Sequence, residues 1–117
     1  MNCHIDSLYL IVDDLERAIT FYENFFEQKF LNKSELGGYF DIDGFRFHLF
    51  AYKKVNEVHT YGSNCLPSIC FKSVEELKQK ISDKEICFPL AKIGKNWVAE
   101  FVDSEGNHIE VYTAAEE

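Results

Sequence analysis

Two stretches of the chain, residues 7–52 and 66–113, repeat one pattern of apolar and polar positions. Each opens on a short apolar run of strand length, Leu8-Tyr9-Leu10-Ile11-Val12 in the first and Ser68-Ile69-Cys70-Phe71 in the second. Each run passes directly into a helix start. Asp13 with Glu16, and Ser73 with Glu76, have the spacing of a capping box, in which a side-chain oxygen accepts from an otherwise unpaired N–H while the later Glu reaches back. Leu15, Ala18, Ile19, Tyr22, Phe25 and Phe26 then recur at helical spacing on one face, with Glu16, Arg17, Glu23, Asn24 and Glu27 opposite. The second helix is shorter, with Val74, Leu77 and Ile81 inward and Lys78 and Lys80 outward.

Three strand candidates follow each helix: 29–32, 38–42 and 45–52 in the first half, and 86–90, 97–102 and 108–113 in the second. The last two of each half are joined by a turn that needs positive φ, Asp43-Gly44 and Asp103-Ser104-Glu105-Gly106-Asn107, which Gly and Asn supply at little steric cost. Gly37-Gly38 reads as turn or hinge chemistry, residues 92–96 as a mobile loop, and 53–65 as the linker between halves. The fold class expected is α+β: one domain over 1–117, made of two βαβββ modules (about 4–54 and 62–114). Their strands would form a curled mixed sheet, a cup with the helices outside.

Strand alternation sorts the side chains between helix and cup. Phe47, Leu49 and Ala51 suit the helix, leaving Arg46, His48, Phe50 and Tyr52 to the cup. Ile109 and Val111 suit the helix, leaving His108, Glu110 and Tyr112. Ser7, Tyr9 and Ile11 share the cup face of the first strand, and Leu66, Ser68 and Cys70 that of the fifth. His48 lies four residues after Gly44 and Glu110 four after Gly106, so the repeat makes the imidazole and the carboxylate equivalent. The ligand-contacting set expected is Ser7, Tyr9, Arg46, His48, Phe50, Tyr52, Ser68, Trp97, Phe101, Glu110 and Tyr112. A plainer account stays open: His48 and Glu110 satisfy each other as a polar pair, and Phe50, Tyr52, Trp97, Phe101 and Tyr112 are packing aromatics. His59 falls in the linker and reads as solvated.

Composition narrows the partners. A chain of 117 residues with 46% hydrophobic content, eleven Phe, six Tyr and one Trp can build a core without staples. The net charge of −8 argues against a nucleic-acid partner and is compatible with a cationic ligand, although acidity also serves solubility. Cys3, Cys65, Cys70 and Cys87 have no zinc-ribbon spacing and are expected to be reduced, mostly buried thiols of a cytoplasmic protein. The N-terminal residues lack the basic start and apolar run of a signal peptide, and no apolar stretch approaches membrane-spanning length. No nucleophile elbow, phosphate loop or dinucleotide fingerprint is present in the sequence.

The segment from Leu10 to Tyr22, Leu-Ile-Val-Asp-Asp-Leu-Glu-Arg-Ala-Ile-Thr-Phe-Tyr, resembles the first strand and helix of the vicinal oxygen chelate superfamily (glyoxalase, bleomycin-resistance and dioxygenase proteins). The segment from Phe101 to Glu110, with its Asp-Ser-Glu-Gly-Asn turn, is similar to that family's closing hairpin. In metal-dependent members the pattern puts one ligand on each of the first, fourth, fifth and eighth strands. Carried over, these fall near Ser7, on His48, near Leu66 and on Glu110, so two of the four can bind a divalent ion. His4 precedes the first position by three residues with the wrong alternation. Catalytic metal sites usually offer at least three protein ligands.

The stretch Arg46-Phe47-His48-Leu49 resembles a strand of the bleomycin-resistance proteins, which hold their drug without a catalytic metal. The resemblance therefore implies a small-molecule-binding homodimer that takes an aromatic or cationic ligand and needs no cofactor. Its alternative is a metal-dependent lyase/isomerase or dioxygenase-like enzyme with Zn, Ni, Mn or Fe at His48 and Glu110, Glu110 being then the catalytic candidate. A third reading keeps the fold for a structural or regulatory role alone.

Overall fold

The computed structural model describes residues 2–62 and 65–115. The chain divides into two compact units, Met1–Thr60 and Tyr61–Glu117, the boundary falling inside the stretch read as a linker.

The first unit contains β1 (Ser7–Ile11), α1 (Leu15–Phe26), β2 (Gly37–Ile42) and β3 (Phe45–Phe50). Its sheet runs in the order β1-β3-β2, with β1 parallel and β2 antiparallel to β3. One sheet face buries Leu10, Phe40, Phe47 and Leu49, and α1 buries Ala18, Ile19, Tyr22 and Phe25. Rings from the helix and sheet interlock, Tyr22 against Phe47 at 5.2 Å and Phe26 against Phe40 at 5.4 Å between centroids. Such tilted and edge-on pairs add to the area term, so a few Phe residues hold a sheet of three strands to one helix.

Several expectations shift here. The cap of α1 is Asp14, not Asp13: its carboxylate accepts from Arg17 N at 3.1 Å, and helical geometry begins at Leu15. The strand expected at 29–32 shrinks to a single bridge between Leu31 and Tyr39. Gly37 and Gly38 are no hinge; they open β2, where the backbone passes too close to its neighbours for a side chain. A Cβ on Gly37 would sit 1.9 Å from the Leu49 carbonyl oxygen, and one on Gly38 2.5 Å from that of Leu31. The strand expected to reach Tyr52 ends at Phe50, and Tyr52–Val55 turns into a 3-10 helix.

The second unit contains β4 (Ser68–Cys70), α2 (Val74–Ile81), β5 (Glu85–Ile93), β6 (Asn96–Val102) and β7 (His108–Ala114), in the sheet order β4-β7-β6-β5. Ser73 caps α2 as its spacing predicts, accepting from Glu76 N at 3.1 Å. Leu77 and Ile81 of α2 are buried, as are Ala99, Phe101, Ile109 and Val111 of the sheet. The stretch expected to be a mobile loop is a tight hairpin: β5 continues to Ile93 and the chain returns at Asn96, with Gly94 at φ 59°. Pro89 is tolerated because β5 is an edge strand, and its register slips between Ile86 and Phe88 and again before Ala91.

The β6–β7 turn is organised by the buried Asp103, whose Oδ1 accepts from Glu105 N at 2.9 Å and Asn107 N at 2.8 Å while Gly106 takes φ 95°. The four cysteines are free thiols, but all are exposed rather than buried. Cys70 shares the alternation of Ser68, away from the helix, and Cys87 sits at a register slip on the edge strand.

Candidate functional site

In the first unit, alternation leaves Tyr9, Tyr39, Arg46, His48 and Phe50 on the sheet face opposite α1. His48 is the cross-strand partner of both Tyr9 and Tyr39. The Tyr9 ring stacks on the imidazole, 4.1 Å between centroids and 7° from parallel, and Phe50 meets Tyr9 edge-on at 6.2 Å. Tyr39 approaches His48 from the other side at 5.2 Å. The Arg46 guanidinium lies 5.0 Å above the Tyr39 ring and opposite Asp41, its partner in register. Burial, and then the neighbouring Arg46 charge, hold the His48 imidazole below its ordinary pKa, partly offset by Asp6, so the ring favours its neutral form.

These side chains line a groove of about 300 Å³ with Asn32, Ser34 and Leu36 at its edge. A larger hollow of about 690 Å³ at the start of α1 is lined mainly by charged groups, including the ion pair of Lys33 with Glu16. Exposed ion pairs of this kind are solvated and carry little specificity.

In the second unit the face opposite α2 carries Ser68, Cys70, Glu100, His108, Glu110 and Tyr112. Glu110 pairs in register with both Ser68 and Glu100. The Ser68 hydroxyl donates to the Glu110 carboxylate. Tyr112 pairs with Cys70, whose hydrogen bond raises the phenol's pKa. Cys87 of β5, Glu100 of β6 and His108 of β7 bring one ligand atom each to within 4.8 Å of one another.

The structure thus assigns the expected site residues unevenly. Tyr9, Arg46, His48 and Phe50 share one face of the first sheet; Ser68, Glu110 and Tyr112 share one face of the second. Ser7 pairs with Arg46, one alternation short of His48. Tyr52 leaves the strand, is 6% exposed and packs edge-on against His59 at 5.3 Å; His59 in turn contacts Glu57 Oε1 at 2.7 Å. Phe101 is fully buried opposite Ile109, and Trp97 pairs with Thr113; both lie on the helix-facing side of their sheet, away from Glu110. Their strand was read without deciding which face was buried, and Ala99 settles it. Tyr39, Asp41, Cys87 and Glu100 were missed. Tyr39 follows from the burial of Phe40 beside it, a signal present in the sequence. Cys87 depends on the register slip in β5, which no local pattern announces.

The donor chemistry can be set against the ion of the metal-dependent relatives. The strand neighbour of His48 is Tyr9, whose ring covers the imidazole, and that of Glu110 is Ser68, whose hydroxyl is spent on the carboxylate. Each unit supplies one good ligand at the positions concerned, and neither Ser7 nor Leu66 supplies another. These residues do not fit a transition ion, for which three protein donors are usual.

The architecture, β-α-β-β in the first unit and β-α-β-β-β in the second, is that of the glyoxalase/bleomycin-resistance/dioxygenase fold. A lactoylglutathione lyase from Agrobacterium tumefaciens superposes with a TM-score of 0.72 at 19% identity, over 94% of this chain and 92% of its own. The fosfomycin resistance protein FosX from Listeria monocytogenes gives 0.74 at 21% identity, over 98% and 96%. A glyoxalase/bleomycin resistance protein/dioxygenase from Nocardioides gives 0.77 at 15% identity, over 99% and 86%. The likeness is one of fold. No protein-family model matches the sequence, and no curated protein does. Among the described residues no helix is long and apolar enough to cross a membrane.

Proposed function

We propose that the chain is a small-molecule-binding protein that holds a planar aromatic ligand on the open face of its first sheet, without a catalytic metal at His48. The observation that carries this reading is the Tyr9–His48 stack, flanked by Phe50 and by Tyr39 under Arg46. Aromatic rings set side by side on a pleated face offer a ligand large apolar contact with little rotamer entropy to lose. The groove of about 300 Å³ suits one or two fused rings. Arg46 and Asp41 at its end supply one donor and one acceptor for the ligand's polar edge.

The protein acts as a homodimer in the cytoplasm in this reading; exposed apolar side chains at Ile5, Phe45 and Ile93 support a two-fold partner. Light scattering at micromolar concentration checks the dimer.

A thermal-shift panel on chelator-treated protein tests the function. Bleomycin-like and other aromatic cations, with neutral aromatic analogues, are expected to raise the melting temperature by mass action. The reading fails if no aromatic compound does so, or if stabilisation requires an added divalent ion and is lost in His48→Ala and Glu110→Ala.

A further inference from the structure

We propose that Cys87, Glu100 and His108 form a binding site for a zinc-class divalent transition-metal ion, built entirely within the second unit. It goes beyond the aromatic-face reading and shares no residue with it.

The three side chains come from three adjacent strands, one from each of β5, β6 and β7. Glu100 and His108 project from the sheet face opposite α2, since their neighbours Ala99, Phe101 and Ile109 fill the other. Cys87 joins them because β5 slips in register between Ile86, opposite Phe101, and Phe88, opposite Glu100. The slip is therefore the device that aims the thiol, as bulges on edge strands commonly re-aim one side chain.

The distances suit coordination. Cys87 Sγ and His108 Nδ1 are 3.7 Å apart. Ordinary Zn–S and Zn–N bond lengths at a tetrahedral angle put sulfur and nitrogen about 3.5 Å apart. All three ligand atoms lie within 4.8 Å of one another, so a small rotation of the Glu100 side chain closes the set.

The donor set is selective. One sulfur, one imidazole nitrogen and one carboxylate oxygen favour borderline ions over magnesium or calcium, which take oxygen. The local charge asks for a cation as well. Glu100 stands directly opposite Glu110 in the ladder, a like-charge pairing that costs stability until something positive intervenes. Local desolvation, and then the Glu100 and Glu85 carboxylates, hold the exposed Cys87 thiol above its ordinary pKa. An ion reverses that penalty: the S–H bond breaks, the proton passes to solvent, and the thiolate bonds to the metal. Three protein ligands leave a fourth position for water or a small anion.

Cobalt(II) is the probe, because its tetrahedral thiolate complexes absorb in the visible and add a sulfur-to-metal charge-transfer band in the near ultraviolet. Full-length protein, reduced and stripped with chelator, is titrated with cobalt chloride. One ion per chain is expected, with both bands appearing and zinc displacing them. Cys87→Ser abolishes the charge-transfer band; Glu100→Gln and His108→Ala weaken binding. Circular dichroism of each variant checks that it folds. The triple variant Cys3→Ser, Cys65→Ser, Cys70→Ser keeps only Cys87 and retains the full signal, as does His48→Ala. The proposal is overturned if no charge-transfer band forms, if the band survives in Cys87→Ser, or if the triple variant loses it. None of these results bears on the thermal-shift panel, whose metal arm is read in His48→Ala and Glu110→Ala.

Discussion

The Tyr9 ring covers the His48 imidazole almost in parallel, 4.1 Å away and tilted by 7°. Parallel β1 and β3 hold the two residues in register, so the stack is a product of strand pairing rather than of a flexible side chain finding a partner. It removes one ring face from water while Arg46 stands two residues away on the same strand, and both effects disfavour the imidazolium.

Tyr9→Ala removes the stack. Tyr9 is 58% exposed, so the loss of stability is small, about 1 kcal/mol by denaturant unfolding. Its expected signature is an upward move of the His48 titration in NMR, as water reaches the imidazole. A titration unchanged by the substitution would mean that the stack does not shield His48.

The pH dependence follows from the same residue. The unfolded chain takes up a proton at His48 near the ordinary imidazole value of 6.5, the folded chain only at lower pH. Between the two the unfolded state binds more protons, so stability falls as pH drops through that window and is fully present above it. Unfolding measured at a series of pH values shows this slope in the wild type, and His48→Gln flattens it. An equal slope in both proteins would contradict the assignment.

The aromatic core of the first unit has little redundancy. Phe47 is 5% exposed and touches Tyr22 and Phe26 at 5.2 Å each. Phe47→Ala leaves a ring-sized void that neighbouring rings cannot close, at a cost of about 3–5 kcal/mol. Loss of α1 ellipticity at 25 °C or a large fall in the denaturation midpoint checks it.

Two glycines separate backbone crowding from backbone conformation. Gly38→Ala, where φ is open to any residue, drives a methyl onto the Leu31 carbonyl oxygen and the Phe30 ring and is expected to cost about 2–4 kcal/mol. Gly44→Ala meets nothing within 4 Å and pays only for its φ of 86°, about 1 kcal/mol. Comparable losses in the two variants would refute the crowding account.

Much of this is legible in the sequence alone. The repeat, both helices, the glycine turns and the alternation of β1, β3 and β7 are properties of single segments, and periodicity reports them. Where the outcome depends on contacts from elsewhere, the local pattern does not carry it. Leu31 keeps one bridge, to Tyr39, beside Phe30, whose ring packs on Phe40 at 5.1 Å. Trp97 and Phe101 were assigned by aromatic character instead of by the buried Ala99 between them. The partners of His48 and Glu110 were sought at Ser7 and Leu66; the parallel registers put Tyr9 and Ser68 there instead. A two-residue offset leaves the alternation of faces unchanged, so the pattern of neither strand distinguishes the two registers.

The central claim is that the first sheet's open face is a seat for an aromatic ring. Chemical-shift mapping with the best aromatic hit, in chelator-treated protein, tests it most directly. The account predicts saturable shifts centred on Tyr9, Tyr39, His48 and Phe50, greatly weakened in Tyr9→Ala. Shifts centred on other residues, or arising only after a divalent ion is added, would contradict it.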